Sequence, residues 1–139
     1  MNTANLHQAI FDRLTNYTAL TSVLGTVGVA SEVPQPDESE DDTAFPYVTF
    51  DFASVRPFDT KTDDGGDVVV RVHLWARTRE TKARRAIEDS IYDALHKYDL
   101  VITGASTIGV WFEGKTEIDD PDGKTKHSVL SFRVLYDEI

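Results

Sequence analysis

The chain has 139 residues, 40% of them apolar, with two Trp, five Tyr and seven Phe, enough for one core and one folded domain over 1–139. Acidic residues outnumber basic ones by 24 to 14, and the net charge of −10 excludes direct attraction to nucleic acid or an anionic membrane. The absence of cysteine excludes disulfides and thiolate metal sites, and no apolar run approaches bilayer-spanning length.

The opening residues MNTANLHQAIFDRL hold no basic segment leading into an apolar run, so no signal peptide is expected. Leu6, Ala9, Ile10, Leu14, Tyr17, Leu20 and Leu24 fall on one stripe at 100° per residue. This spacing predicts a helix capped by Thr3, stopped by Gly25 and broken near Asn16–Thr18. Phe11 lies off the stripe and is a candidate contact for another subunit. A short strand in VGVASEV precedes PQPDESEDDTAFP, an acidic loop bounded by prolines. Its carboxylates lack the glycine-turned, alternating spacing of a calcium loop, so solvation explains them better than a metal.

YVTFDFASV alternates, with Val48, Phe50 and Phe52 on one face. DVVVRVHLWA alternates more strongly, setting Val68, Val70, Val72, Leu74 and Ala76 against Val69, Arg71, His73 and Trp75. Both read as strands with one face on a core. RPFDTKTDDGGD between them reads as a long polar loop, made mobile by Gly65 and Gly66. TRETKARRAIEDSIYDALHKYD predicts a second long helix, capped by Thr78 and buried along Ala83, Ile87, Ser90, Ile91, Ala94 and Tyr98. Arg84–Glu88 and Arg85–Asp89 are expected as solvent-side pairs. Tyr92 points off the stripe and is a second candidate contact.

The last third reads as strands and turns, and within it EIDDPDGKTKH gathers acids around a histidine. Pro121 and Asp122 suit the central positions of a type I turn, with Gly123 in the left-handed position that follows. Pairing Asp120 with Lys124 sets Phe112 opposite Phe132, Val110 opposite Val134 and Ile108 opposite Tyr136. The other face then pairs Glu117 with His127 and Trp111 with Arg133. Asp119, Asp120 and Asp122 are therefore turn residues rather than metal ligands. The remaining histidines, His7, His73 and His96, are scattered, and no nucleophile elbow or phosphate loop is present. No catalytic residue, metal or cofactor is expected.

The fold class is α+β: a single mixed, mostly antiparallel sheet of about four to five strands, with two main helices packed on one face. The opposite face carries Tyr47, Val69, Trp75, Trp111 and Leu135, more apolar than a solvent face usually is. Either the chain's own loops or another subunit covers it, and head-to-tail contacts of that kind close rings.

Several segments in order, LTSVLG, FPYVTF, SVRPFDTKT, VHLWART, ALH and DPDGKTKHSVLSFRV, resemble the tail-completion or tail-terminator proteins of long-tailed bacteriophages and related gene-transfer particles. The resemblance implies a structural virion protein, not an enzyme, assembled in the host cytoplasm and placed at the tail–neck junction. It implies a homo-oligomeric ring, typically of six subunits, that caps the tail tube, ends its growth and docks to the neck or stopper protein, while DNA passes through the lumen without specific binding. Under this reading Phe11, Tyr92, Trp75, Trp111, Arg56, Phe58 and Lys61 are candidates for subunit or tube contacts. Asp63, Asp64 and Asp67 are candidates for an acidic lumen-facing loop. The alternatives are another head–tail connector or minor tail protein, or a small α+β enzyme or ligand-binding domain.

Overall fold

The computed structural model describes residues 2–31, 42–78, 80–121 and 123–139. The first apolar stripe forms helix α1, Thr3–Asn16, and a one-turn helix α2, Thr18–Thr21, with the break at the extended Tyr17. Thr3 is the first helical residue rather than the cap. Asn2 precedes it in a left-handed conformation and donates its side-chain amide to the Gly104 carbonyl. Leu6, Ile10, Leu14 and Leu20 are fully buried.

Gly25 does not end a helix, since α2 stops at Thr21. It serves a close approach instead. A Cβ there would lie 2.5–2.7 Å from the carbonyl oxygens of Thr43, Ala44 and Phe45. Its amide donates to the Pro46 carbonyl at 2.7 Å, and the next amide, of Thr26, to that of Thr43. Gly25→Ala is expected to cost about 1–3 kcal/mol through overpacking against rigid backbone, read as a lowered Tm with unchanged far-UV circular dichroism.

The sheet has five strands in the order β1-β2-β3-β5-β4. They are β1 Val29–Ala30, β2 Tyr47–Pro57, β3 Gly65–Ala76, β4 Ala105–Asp119 and β5 Lys126–Glu138. Only β1 runs parallel to its neighbour, so the sheet is mixed and mostly antiparallel, as the alternation predicts. Of the VGVASEV segment, Val29–Ala30 form β1, while its residues 32–33 and residues 34–41 of the acidic loop lie outside the described residues. The β2–β3 connection is shorter than expected. Both strands extend to a hairpin end where the Phe58 amide donates to the Gly65 carbonyl at 3.0 Å. Gly65 and Gly66 are strand residues, not hinges: a Cβ on Gly66 would sit 2.3–2.5 Å from the Tyr136 ring, which lies over it.

Helix α3, Thr81–Leu95, starts later than expected; the Thr78 hydroxyl accepts from the Glu80 amide just ahead of it. Its Ile87, Ile91 and Ala94 join α1 and the inner sheet face in one apolar cluster with Val48, Phe50, Val70, Val72, Leu130, Phe132 and Val134. Arg13 ties the two helices together. Its guanidinium lies 3.6 Å from the Tyr98 ring centroid and 4.7 Å from that of Tyr17, and its Nε donates to the Ala94 carbonyl.

The β4–β5 ribbon keeps the expected centre, Phe112 opposite Phe132 and Val110 opposite Val134. Two bulges in β4, at Ile108 and Glu113, change its ends. Thr107 rather than Ile108 faces Tyr136, and Ser128 rather than His127 faces Glu117. At the tip the Gly123 amide donates to the Asp120 carbonyl, and Gly123 has φ of 73°, the left-handed conformation expected of it. The Asp120 amide, however, donates to Thr125, one residue beyond the expected Lys124 pairing. Asp122 lies outside the described residues.

Candidate docking face

Strand alternation sends one set of side chains under the helices and the other to a face that carries no helix. Because strands lie side by side, residues paired in register form rows across β2, β3, β5 and β4. One row runs Tyr47, Trp75, His127, Ile118; the next runs Thr49, His73, Val129, Thr116. Toward the other end come Ser54, Val69, Arg133 and Trp111.

The first row is an aromatic ladder. The Tyr47 ring packs against Phe45 at 5.0 Å and against Trp75 at 6.2 Å, and Trp75 stacks on His127 at 3.7 Å with planes 11° apart. Arg77 lies over Phe45 at 4.2 Å. Tyr47, expected on an open face, is therefore buried by the chain's own preceding loop, and that burial pushes its phenol pKa upward. Among the described residues this cover lies at the β2 side of the row. Trp111 remains 37% exposed and Ile118 47%.

Two ion pairs cross the same face. Arg71 meets Asp51 at 3.0 Å, and Arg133 meets Asp67 through two nitrogens at 3.0 and 2.8 Å. The hydrogen bonds from Arg133 hold the Asp67 carboxyl below its ordinary value. The face can therefore contact a protein partner through apolar patches between fixed charge pairs. Among the described residues no group of three or more His, Asp or Glu is placed to hold a metal.

The proposed contact residues separate into three places. Trp75 and Trp111 share the helix-free face. Arg56, Phe58 and Lys61 gather at the exposed β2–β3 hairpin end, with Phe58 41% exposed. Phe11 and Tyr92 lie on the helices and are half-buried: Phe11 packs against the core, and Tyr92 stacks on His96 at 4.6 Å and meets Phe112 edge-on. Asp63 and Asp64 are exposed in the hairpin loop, whereas Asp67 is a strand residue paired to Arg133.

Two arrangements escaped the sequence reading. Glu88, expected in solvent, is only 2% exposed beneath α3. It accepts from Lys115 Nζ and from the Ser128 hydroxyl, each at 2.6 Å, with Arg84 3.7 Å away. Glu117, expected beside His127, instead meets Arg84, Arg85 and Lys115. The bonds to Glu88 hold the Lys115 ammonium above its ordinary pKa. The second arrangement is the contact between His73 and His127 on the helix-free face.

The sequence model of one protein family, described as “Tail completion protein gp17”, matches residues 8–137. The tail completion protein gp17 of Bacillus phage SPP1 is 27% identical over 128 residues, covering 92% of this chain and 89% of that protein. Its solved structure overlays with a TM-score of 0.55 at 24% identity, covering 94% of this chain and 88% of the other. A chain from the virion of a native gene transfer agent particle overlays with a TM-score of 0.79 at 20% identity, covering 95% and 94%. Both overlays cover more than nine-tenths of this chain, and the family match spans residues 8–137: the chain belongs to the tail completion protein gp17 family.

Proposed function

We propose that copies of this chain close into a ring, six to the ring, at the head-proximal end of a tail tube. The ring ends tube growth, joins the tail to the neck or stopper protein, and lets DNA through its lumen. The observation that carries this reading is the family match over residues 8–137. A helix-free sheet face with Trp111 exposed on it supplies a surface for contact with a neighbouring subunit or with the tube. Arg56, Phe58 and Lys61 extend that surface along the hairpin end.

At −10 per chain, six copies carry about −60, a field that repels phosphate passing at close range. Asp63 and Asp64 contribute to it in the exposed β2–β3 loop, while Asp67 is neutralised by Arg133. The chain acts through its surfaces, within the virion, and not by turning over a substrate.

The test is Trp111→Glu. Placing a charge in the docking face is expected to weaken subunit assembly at least about tenfold, as for loss of an aromatic anchor. Sedimentation should show smaller species, and electron microscopy should show tails of uncontrolled length and heads without tails. Wild-type assembly and normal particles from this variant, with the subunit seen away from the tail–neck junction, would overturn the reading.

A further inference from the structure

His73 and His127 are 54 positions apart, and nothing in their local sequence links them. The β3–β5 register does: Trp75 faces His127 while His73 faces Val129, so the two imidazoles sit on a diagonal. His73 Nδ1 lies 2.7 Å from His127 Nε2, and His73 Nε2 lies 3.2 Å from Asp51 Oδ2. The flat of the His127 ring covers Trp75, whose indole Nε1–H donates to the Thr49 hydroxyl at 3.2 Å.

We propose that Asp51, His73 and His127 form a proton-controlled latch on the helix-free face, closed while one proton bridges the two rings and opened when both rings become imidazolium. The proton count follows from the geometry. With His73 donating Nε2–H to Asp51, its Nδ1 accepts from His127 Nε2–H, and both rings are neutral. One added proton can be held as His127⁺, with the bridge unchanged, or as His73⁺ donating from Nδ1 while the His127 proton moves to its own Nδ1. Either form keeps the bridge and sets one positive charge near Asp51. A second added proton leaves N–H facing N–H across 2.7 Å, with like charges, and the rings must turn apart.

The surroundings resist the second proton. Asp51 from β2 and Asp120 from the ribbon tip attract charge, while Arg71 on β3 binds Asp51 and offsets it. Tyr47 is neutral in this range, the β4 neighbours Thr116 and Ile118 do not titrate, and among the described residues no helix covers the face. Burial first, and then the neighbouring His73, hold His127 below its ordinary value. The unfolded chain therefore takes up this proton before the folded one. Stability drops as pH falls through the ordinary histidine range and levels off below the folded value.

Opening the latch uncovers Trp75, which on the proposed reading is part of the contact surface. The titration itself is read on the chain alone, so failure of one idea does not entail failure of the other. In a W111F chain, Trp75 is the one remaining tryptophan. Its emission and the imidazole proton NMR signals are followed from pH 8 to 4, with H73Q and H127Q chains used to assign them. Two coupled histidine steps separated by more than about one pH unit are expected, with Trp75 emission changing only at the lower step. H73Q should leave a single higher step at His127 with no Trp75 change, because one imidazolium has no charged ring to turn away from. If W111F does not fold, the NMR signals of the unsubstituted chain decide alone. Independent titration of the two rings at nearly the same pH, or Trp75 emission flat through both steps, would overturn the latch.

Discussion

Replacing Glu88 by alanine is expected to lower the unfolding free energy by about 2–4 kcal/mol, among the largest effects of any polar substitution in the chain. The carboxylate is buried, and it satisfies the Lys115 ammonium and the Ser128 hydroxyl while balancing Arg84. Its removal takes the acceptor from the Ser128 hydroxyl and leaves Lys115 and Arg84 with Glu117 alone. Arg84 Nε already has no hydrogen-bond partner there, so little spare capacity exists to absorb the loss. The figure sits below the range for a wholly enclosed pair because Lys115 reaches partly into solvent. A double-mutant cycle supplies the check. Adding Lys115→Met to Glu88→Ala should recover about 1 kcal/mol, since removing both partners costs less than leaving the ammonium with Glu117 as its one remaining carboxylate. Urea denaturation that gave equal midpoints for Glu88→Ala and the wild type would show that the cluster contributes nothing.

Phe132→Ala is expected to cost about 3–5 kcal/mol. Phe132 is 1% exposed on β5, faces Val70 on β3 and Phe112 on β4, and meets the Phe112 ring at 5.5 Å. A cavity there lies between sheet and helices and cannot be filled from solvent. Phe132→Leu should retain more than half of the stability lost by the alanine variant, because most of the buried volume remains. Equilibrium urea unfolding with an unchanged m-value is the measurement. Equal losses for leucine and alanine would mean that ring geometry, not volume, governs the site.

Alternation made the central strands readable. Val68, Val70, Val72, Leu74 and Ala76 all lie inside, and the aromatic and branched pairs around Phe112 and Phe132 fixed the ribbon centre. The helical stripes were equally plain, apart from their first residues. Strict alternation failed at Ala53, Ile108 and Glu113, where a single extra residue enters a strand. Only neighbouring glycines hint at two of these bulges. Gly109 leaves room for the Trp111 ring, whose atoms would stand 2.4–2.5 Å from an added Cβ.

The errors at Glu88 and Glu117 descend from one such bulge. With strict period two, Lys115 and Glu117 face away from the helices, and Arg84–Glu88 looks like an ordinary surface pair. The bulge at Glu113 puts both side chains beneath α3, where Glu88 can reach Lys115. The His73–His127 contact was hidden for a different reason: it needs the pairing of strands far apart in sequence, and neither residue has a local partner that announces it. Phe11 and Tyr92, chosen for lying off a helical stripe, pack partly within their own chain, while Trp111, chosen from the sheet face, keeps its exposure.

The spare residue at Glu113 also sets where this protein can change length. Excising it would bring Phe112 and Gly114 into an unbroken ladder against Phe132 and Ser131, and every later side chain of the strand would stay on its present side. Losing any one residue from 115 to 118 instead would turn over part of the ribbon, unless its loop gave up the difference. Natural variants that are one residue shorter in this strand should therefore have lost it here or at the other bulge, Ile108, and would twist less there.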